Sequence, residues 1–354
     1  MRRPFFGVTA GAVVAGALVL AGCSSSSSSG ASGSASSSSS SSSGTTSSAP
    51  VTVRLGLLAN ITHAPALIAI QKGYFAKDLG SNKLTPTVYN TGTLETTAIL
   101  AGQLDVAYVG PNPAINAFQK SGGSAIKIIS GVATGGASMV VKPSVSGAAD
   151  LKGKTIDTPS LGNTQDVAIR YYLKQHGLAT TTTGGGDVTI KPTTPNSNAV
   201  LQFQSGQIAG ASEPSPYDVE MVKDGGKVLF SEPGVTTIMI VTQSFLDAHA
   251  DVVNDLLKAN IQAEDYIKSN PTDAQTSANT ELTTLSGKGI KASVLPDAFK
   301  EIVFTNDPDA ASLATDAQQA KAVGLLTSTN LNGIFDLGPL NKLLQAAGES
   351  QVKS

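Results

Sequence analysis

One local pattern occurs twice in this chain and narrows what it can fold into. Ala101-Gly102-Gln103-Leu104-Asp105-Val106-Ala107 is echoed by Ser205-Gly206-Gln207-Ile208-Ala209-Gly210-Ala211. At both places a helical stretch ends at glycine and a short strand follows. A proline-bearing loop then opens the next helix: Gly110-Pro111-Asn112-Pro113 in the first copy, Glu213-Pro214-Ser215-Pro216-Tyr217 in the second. Any two αβ units look alike to this degree. The sharper reading is two similar α/β lobes facing each other across a cleft. Ligands in open α/β sheets bind beyond the carboxyl ends of the strands, so each lobe would supply one wall.

The pattern around these copies is consistent with that plan. Val51 to Leu57 alternates and is β-branched, which predicts a strand. A helix is expected from Ala64 to Lys72, with Pro65 in its first turn and Gly73 at its end. Short strands are expected at Thr87–Tyr89, Leu104–Val109, Ile126–Val132 and Ser138–Val141, with helices at Leu94–Ala101 and from Pro111-Asn112-Pro113 to Lys120. The second half repeats the alternation: a strand at Thr155–Asp157, a helix from Asn163, a strand at Val188–Lys191, a helix from Asn198, and a strand at Ile208–Ala211. Strands at Val228–Phe230 and Thr237–Val241 lead into a tail that reads as helical from Ser244. The expected division puts 51–142 and 236–354 in lobe one and 143–235 in lobe two.

The first fifty residues stand apart from this fold. Arg2 and Arg3 precede an uncharged apolar stretch that ends Leu20-Ala21-Gly22-Cys23. Residues 1–22 read as an export signal, and the stretch resembles a bacterial lipobox, with Cys23 as the lipidated residue. Ser24 to Ala49 is mostly serine, buries no apolar surface and is expected to be a disordered tether. Fully extended it reaches roughly 90 Å, and as a coil about 30 Å. The expectation is an exported protein anchored by lipid to the outer face of the cell membrane.

Composition then excludes several chemistries. Net charge is -2, with only 14% charged residues, which argues against nucleic acid as a partner. The chain has one cysteine, so it offers no internal disulfide and no Cys-ligated metal site. His63, His176 and His249 are scattered, so neither a metal site nor a cofactor is expected. No Gly-x-Ser-x-Gly elbow is present, and a Ser-His-Asp triad has little support. Lys152-Gly153-Lys154-Thr155 superficially matches the end of a phosphate loop, but Ala148 stands where that motif needs glycine.

What remains lies at the strand-to-helix junctions. Asn60-Ile61-Thr62-His63-Ala64-Pro65, Gly110-Pro111-Asn112-Pro113 and Ser160-Leu161-Gly162-Asn163-Thr164-Gln165-Asp166 supply hydroxyls, amides and backbone N–H groups at helix starts. A helix N-terminus carries about half a positive charge and unpaired donors. With no Lys or Arg in these loops, the chemistry fits an oxyanion held by dipoles and neutral donors. Ordinary capping by Thr62 and Asn163 is the plainer account of each loop alone. His63 reads as a neutral donor, a cation or a plain loop residue. Glu213 is either a partner for a ligand ammonium, a cross-lobe pair, or a solvated acid.

Leu57-Leu58-Ala59-Asn60-Ile61-Thr62-His63-Ala64-Pro65-Ala66-Leu67, then Lys72-Gly73-Tyr74-Phe75, then Gly102-Gln103-Leu104-Asp105-Val106-Ala107 resemble the solute-binding proteins of ABC importers, in the nitrate/sulfonate/taurine group. Gly110-Pro111-Asn112-Pro113-Ala114, Asp150-Leu151-Lys152-Gly153-Lys154 and Gly162-Asn163-Thr164-Gln165-Asp166-Val167-Ala168 extend the likeness over most of residues 51–245. The resemblance implies a two-lobed α/β fold of the type II periplasmic-binding-protein class, hinged by two crossover strands. It implies a monomer that binds a small organic anion and delivers it to a membrane permease driven by an ATPase. By position, the family's ligand loops match Asn60, Thr62, His63, Gly110 and Asn112 in lobe one. In lobe two they match Asn163, Thr164 and Gln165, with Glu213 and Ser138 as further candidates. An aliphatic sulfonate or taurine is the implied ligand, with nitrate or a thiamine pyrimidine precursor as alternatives. A surface hydrolase and an extracytoplasmic sensor are the rival readings.

Overall fold

The structure is a computed structural model that describes residues 49–354; the expected export signal, Cys23 and nearly all of the expected serine-rich tether lie outside the described residues. Strand β1 (Thr52–Leu58) leads through a 3-10 turn, Ile61–His63, into α1 (Ala64–Gln71) and α2 (Tyr74–Leu79). Next come β2 (Lys83–Tyr89), α3 (Gly92–Leu100), β3 (Val106–Val109), α4 (Pro111–Lys120) and β4 (Ile126–Gly135). The chain then crosses into β5 (Ala137–Val141), β6 (Thr155–Asp157), α5 (Thr164–Gln175), β7 (Thr189–Ile190), α6 (Ser197–Gln204), β8 (Gly210–Pro214), α7 (Tyr217–Lys223) and β9 (Lys227–Ser231). It returns through β10 (Val235–Thr242) to α8 (Gln243–Ala248), α9 (Ala250–Ser269), α10 (Pro271–Ser286), α11 (Leu295–Lys300), β11 (Ile302–Phe304), α12 (Ala310–Ala322) and α13 (Gly338–Ala346).

Two sheets result, with strand orders β11-β4-β10-β3-β1-β2 and β7-β6-β8-β5-β9. In the first, β2, β1 and β3 are parallel and β10 is antiparallel beside β3. In the second, β7, β6 and β8 are parallel and β5 is antiparallel beside β8. The echo in the sequence is therefore a repeat in topology, with β3–α4 and β8–α7 in matching places. Each lobe has helices on both faces of its sheet, which requires strands apolar on both sides. On β3, Val106 and Tyr108 join one apolar cluster while Ala107 and Val109 join another. This is the two-residue alternation of a strand buried on both faces.

Three expectations are corrected. Strand β5 belongs to the second sheet, so the first crossing lies at Gly136 and not after residue 142. In sequence β4 and β5 read as one lobe; only Gly136 lies between them, and it and Gly135, the last residue of β4, are both in the left-handed region at φ 71° and 68°. Strand β8 starts at Gly210 and runs to Pro214, because Ala137–Met139 pair with Ser212–Pro214. Glu213 is thereby a strand residue and not a loop residue. Finally, the tail is not all helical: β11 adds to the edge of the first sheet against β4.

The two crossings are bonded to each other. The Gly135 N–H donates to the Gly234 carbonyl at 3.0 Å, and the Glu232 N–H donates to the Ala137 carbonyl at 2.9 Å. The Thr236 hydroxyl also donates to the Gly135 carbonyl at 2.7 Å.

Candidate functional site

The lobes meet at a narrow cavity of about 50 Å³, lined by the carboxyl-end loops of both sheets. All six strand-to-helix junctions of the two parallel triplets contribute to its wall. Five helices begin there: the N-cap residues His63 of α1, Thr91 of α3, Gly110 of α4, Asn163 of α5 and Asn196 of α6 all line it. Their aligned peptide dipoles put partial positive charge around the space. The lining holds no Asp, Glu, Lys or Arg.

In lobe one, Asn60 and Thr62 are locked by a buried relay. The Thr237 hydroxyl donates to Thr62 Oγ1 at 2.7 Å, and the Thr62 hydroxyl donates to Asn60 Oδ1 at 2.7 Å. Asn60 Oδ1 also accepts from the Thr62 N–H at 3.0 Å, so Asn60 and not Thr62 caps the 3-10 turn. The carboxamide NH2 of Asn60 is left for the cavity. His63 is fully buried, and desolvation lowers its pKa to about 3. It is neutral at pH 7 and is not a cation. The Leu58 N–H donates to its Nδ1 at 3.3 Å, which puts the ring proton on Nε2 as a donor.

In lobe two, Asn163 Oδ1 accepts from the Asp166 N–H at 2.9 Å, a helix cap. Its NH2 donates to Gln165 Oε1 at 2.9 Å, and the Gln165 NH2 donates to Glu232 Oε2 at 3.4 Å. Asp166 pairs with Arg170 at 2.8 Å under the same turn, which fixes the helix start from below. Thr164 Oγ1 is buried without a hydrogen-bond partner. It faces Gly110 across the cleft so closely that a Cβ at Gly110 would lie 2.8 Å from it. Glycine at 110 lets the backbones of the two lobes approach.

The walls are bonded across the cleft. The Ile61 N–H donates to the Ser215 carbonyl at 3.0 Å, and the Tyr217 hydroxyl donates to the Ala59 carbonyl at 2.8 Å. Burial raises the Tyr217 pKa, so this donor stays protonated. The Thr93 and Ser160 hydroxyls meet at 3.0 Å.

The structure brings Asn60, Thr62, His63, Gly110, Asn163, Thr164 and Gln165 to this one cavity. It does not bring Asn112, Ser138 or Glu213 there. Asn112 is buried in the first turn of α4 with neither amide atom hydrogen-bonded. Ser138 sits on β5 with its hydroxyl 3.1 Å from that of Ser231. Glu213 is wholly buried in β8 with both carboxylate oxygens unpaired, and desolvation first, then the nearby Asp157, raises its pKa well above the ordinary range. It is thus neither a solvated acid nor a lining residue. The sequence reading missed Tyr89, Thr91, Asn196 and Tyr217, which also line the cavity. Thr91 carried a signal, since it accepts from the Leu94 N–H at 3.2 Å and caps α3 in the ordinary way.

Comparisons with known proteins bear on the fold and the family. The taurine-binding periplasmic protein of Escherichia coli strain K12 is 25% identical over 213 residues, 58% of this chain and 64% of that protein. The aligned region thus spans less than two thirds of that relative's length. The alkanesulfonate-binding protein of Xanthomonas axonopodis pv. citri, solved with MOPS bound, superposes with a TM-score of 0.66 at 19% identity, over 80% of this chain and 97% of that one. The periplasmic nitrate-binding protein of Synechocystis PCC 6803 gives a TM-score of 0.68 at 13% identity, over 84% and 89%. The fold is that of the periplasmic binding proteins. The sequence pattern of the NMT1-like family matches residues 47–282, more than half of the chain, and the chain belongs to that family.

Proposed function

We propose that this chain is the solute-binding component of an ABC importer, capturing a small aliphatic sulfonate between its lobes and delivering it to a membrane permease and its ATPase. One observation carries the reading: five helix N-termini and neutral donors surround a narrow space that contains no charged side chain. Such a site stabilises a delocalised oxyanion by preorganised dipoles, with little proton affinity to disturb it. A sulfonate stays ionised at all physiological pH values and needs no counter-cation at hydrogen-bond distance.

Taurine adds an ammonium group, and no carboxylate lines the cavity to receive it. Glu213 does not serve, being buried in β8 outside the lining. The reading therefore places a plain alkanesulfonate ahead of taurine. Closure follows from the ligand touching both walls, which favours the conformer with the cross-lobe bonds of Ile61 and Tyr217 formed. No covalent chemistry is part of this mechanism. Anchoring through Cys23 would hold the binding lobes within reach of the permease.

Calorimetric titration with ethanesulfonate, taurine, nitrate and an aminopyrimidine tests it. The expected order is ethanesulfonate, then taurine, then nitrate. Binding of the aminopyrimidine alone would replace the sulfonate reading. Turnover of ester or amide substrates, lost on changing one serine, would replace the binding reading altogether.

A further inference from the structure

We propose that the groove between α5 and α12, beside the two crossings, is a second binding site, which takes a small organic cation: an ammonium group carried on an aromatic or alkyl body. The groove has a volume of about 600 Å³, within the usual size of small-molecule sites. It is separate from the interlobe cavity, although Thr164 lines both.

Its chemistry has two halves. One wall is aromatic: Tyr172 lies between Phe230, 4.7 Å away at 30°, and His176, 4.3 Å away at 41°, with Tyr171 beside them, so the groove meets ring edges and the side of Phe230 turned from Tyr172. Such a face attracts ammonium groups and covers an apolar body. The other side carries two acids, Glu232 from the crossing and Asp316 from α12. Asp316 Oδ2 is buried and accepts no hydrogen bond. Glu232 is 9% exposed and is held by Ser212 at 3.2 Å and by Gln165. Among the described residues neither acid forms an ion pair.

Two acids on one groove with no paired cation are protonated or neutralised from outside. Burial, followed by the neighbouring Glu232 and Asp309, raises the Asp316 pKa well above its usual range. No group of three His, Cys, Asp or Glu side chains among the described residues is placed to hold a metal ion. An ammonium therefore suits the site better than a bare divalent ion. It would set its charge beside the carboxylates and its body against Tyr172 and Phe230.

The site stands independently of the sulfonate reading, and its test uses amine binding alone. Phenethylammonium, the neutral 2-phenylethanol and the anionic 3-phenylpropanoate are titrated by calorimetry into the full-length protein at pH 8. The expected result is saturable one-to-one binding of the ammonium, with the other two at least tenfold weaker. Asp316→Asn should weaken the ammonium at least tenfold. Ala168, half-exposed on α5, lines this groove and not the interlobe cavity. Ala168→Trp should fill the space and abolish binding, and it serves as the second variant if Asp316→Asn fails to fold. No saturable ammonium binding, equal binding of the alcohol, or unchanged affinity in either folded variant would overturn the proposal.

Discussion

The two lobes share a topology and differ in what stands at the inner ends of their strands. Strand β1 closes on Leu57-Leu58 and β3 on Val109. The matching strands of lobe two close on Asp157 in β6 and on Glu213-Pro214 in β8. Both acids are wholly buried. Lobe one has buried acids as well, Glu95 on α3 and Glu264 on α9, but these lie on helices and not at the strand ends. In the echo, Glu213 stands where lobe one has the core residue Val109. A repeated fold can thus present one apolar and one acidic underside to the same cavity, and the wall against the ligand stays neutral in both. The lesson is that topology fixes where the junctions point, while single substitutions behind them set the local electrostatics.

The largest expected effect tests that asymmetry through pH. Burial pushes Asp157 and Asp218 up to about 6 and Glu232 to about 7, while the unfolded chain titrates these groups near 4. The folded state therefore binds more protons between these values. Stability is full below about pH 4 and falls as pH rises through about 6 to 7, by about 3 kcal/mol for each fully coupled group. Urea unfolding followed by circular dichroism should show this slope. It should flatten in Asp157→Asn and Glu232→Gln, and an unchanged slope in both variants would break the comparison.

A second variant moves lobe two toward lobe one. Glu213→Leu should stabilise the protein at pH 7 by about 3 kcal/mol, because it removes a buried acid with two unpaired oxygens. Ligand affinity should stay as it was, since Glu213 does not line the cavity. Loss of affinity would return Glu213 to the site.

Smaller effects compare the two walls. Asn163→Ala should weaken sulfonate binding by about 1–3 kcal/mol and lower the melting temperature, because the same carboxamide caps α5. Gly110→Ala places a Cβ 2.8 Å from Thr164 Oγ1 and should weaken binding by about 1–2 kcal/mol through obstructed closure. Its effect on melting of the ligand-free protein should be less than on affinity. The smallest is Ser138→Ala, whose affinity change by calorimetry should stay within about 0.5 kcal/mol.

Much of the fold was legible because its signals are local. Pro65, Gly73 and Gly102 punctuate helices where the sequence placed them, and β6 is found at Thr155–Asp157 as expected. Three of the junction loops were legible as a binding wall for the same reason: helix starts carry caps. Glu213 was misplaced because a charged residue before proline reads as a loop, and only pairing with β5 makes it a strand. The crossing at Gly136 was missed because strand propensity is the same on either side of it. Tyr89 and Tyr217 entered the cavity through contacts between segments far apart in sequence, which no local pattern encodes. Tyr217 reaches Ala59 across the whole of the intervening chain.

The main-chain bonds between the two crossings carry a mechanical consequence. Gly135 is tied to Gly234 and Glu232 to Ala137, so the connectors behave as one narrow ribbon and not as two loose threads. A ribbon of this kind bends easily in one direction and resists shear and independent twisting. Opening of the cleft is thereby confined to a single arc, described by one coordinate: how far apart the jaws stand.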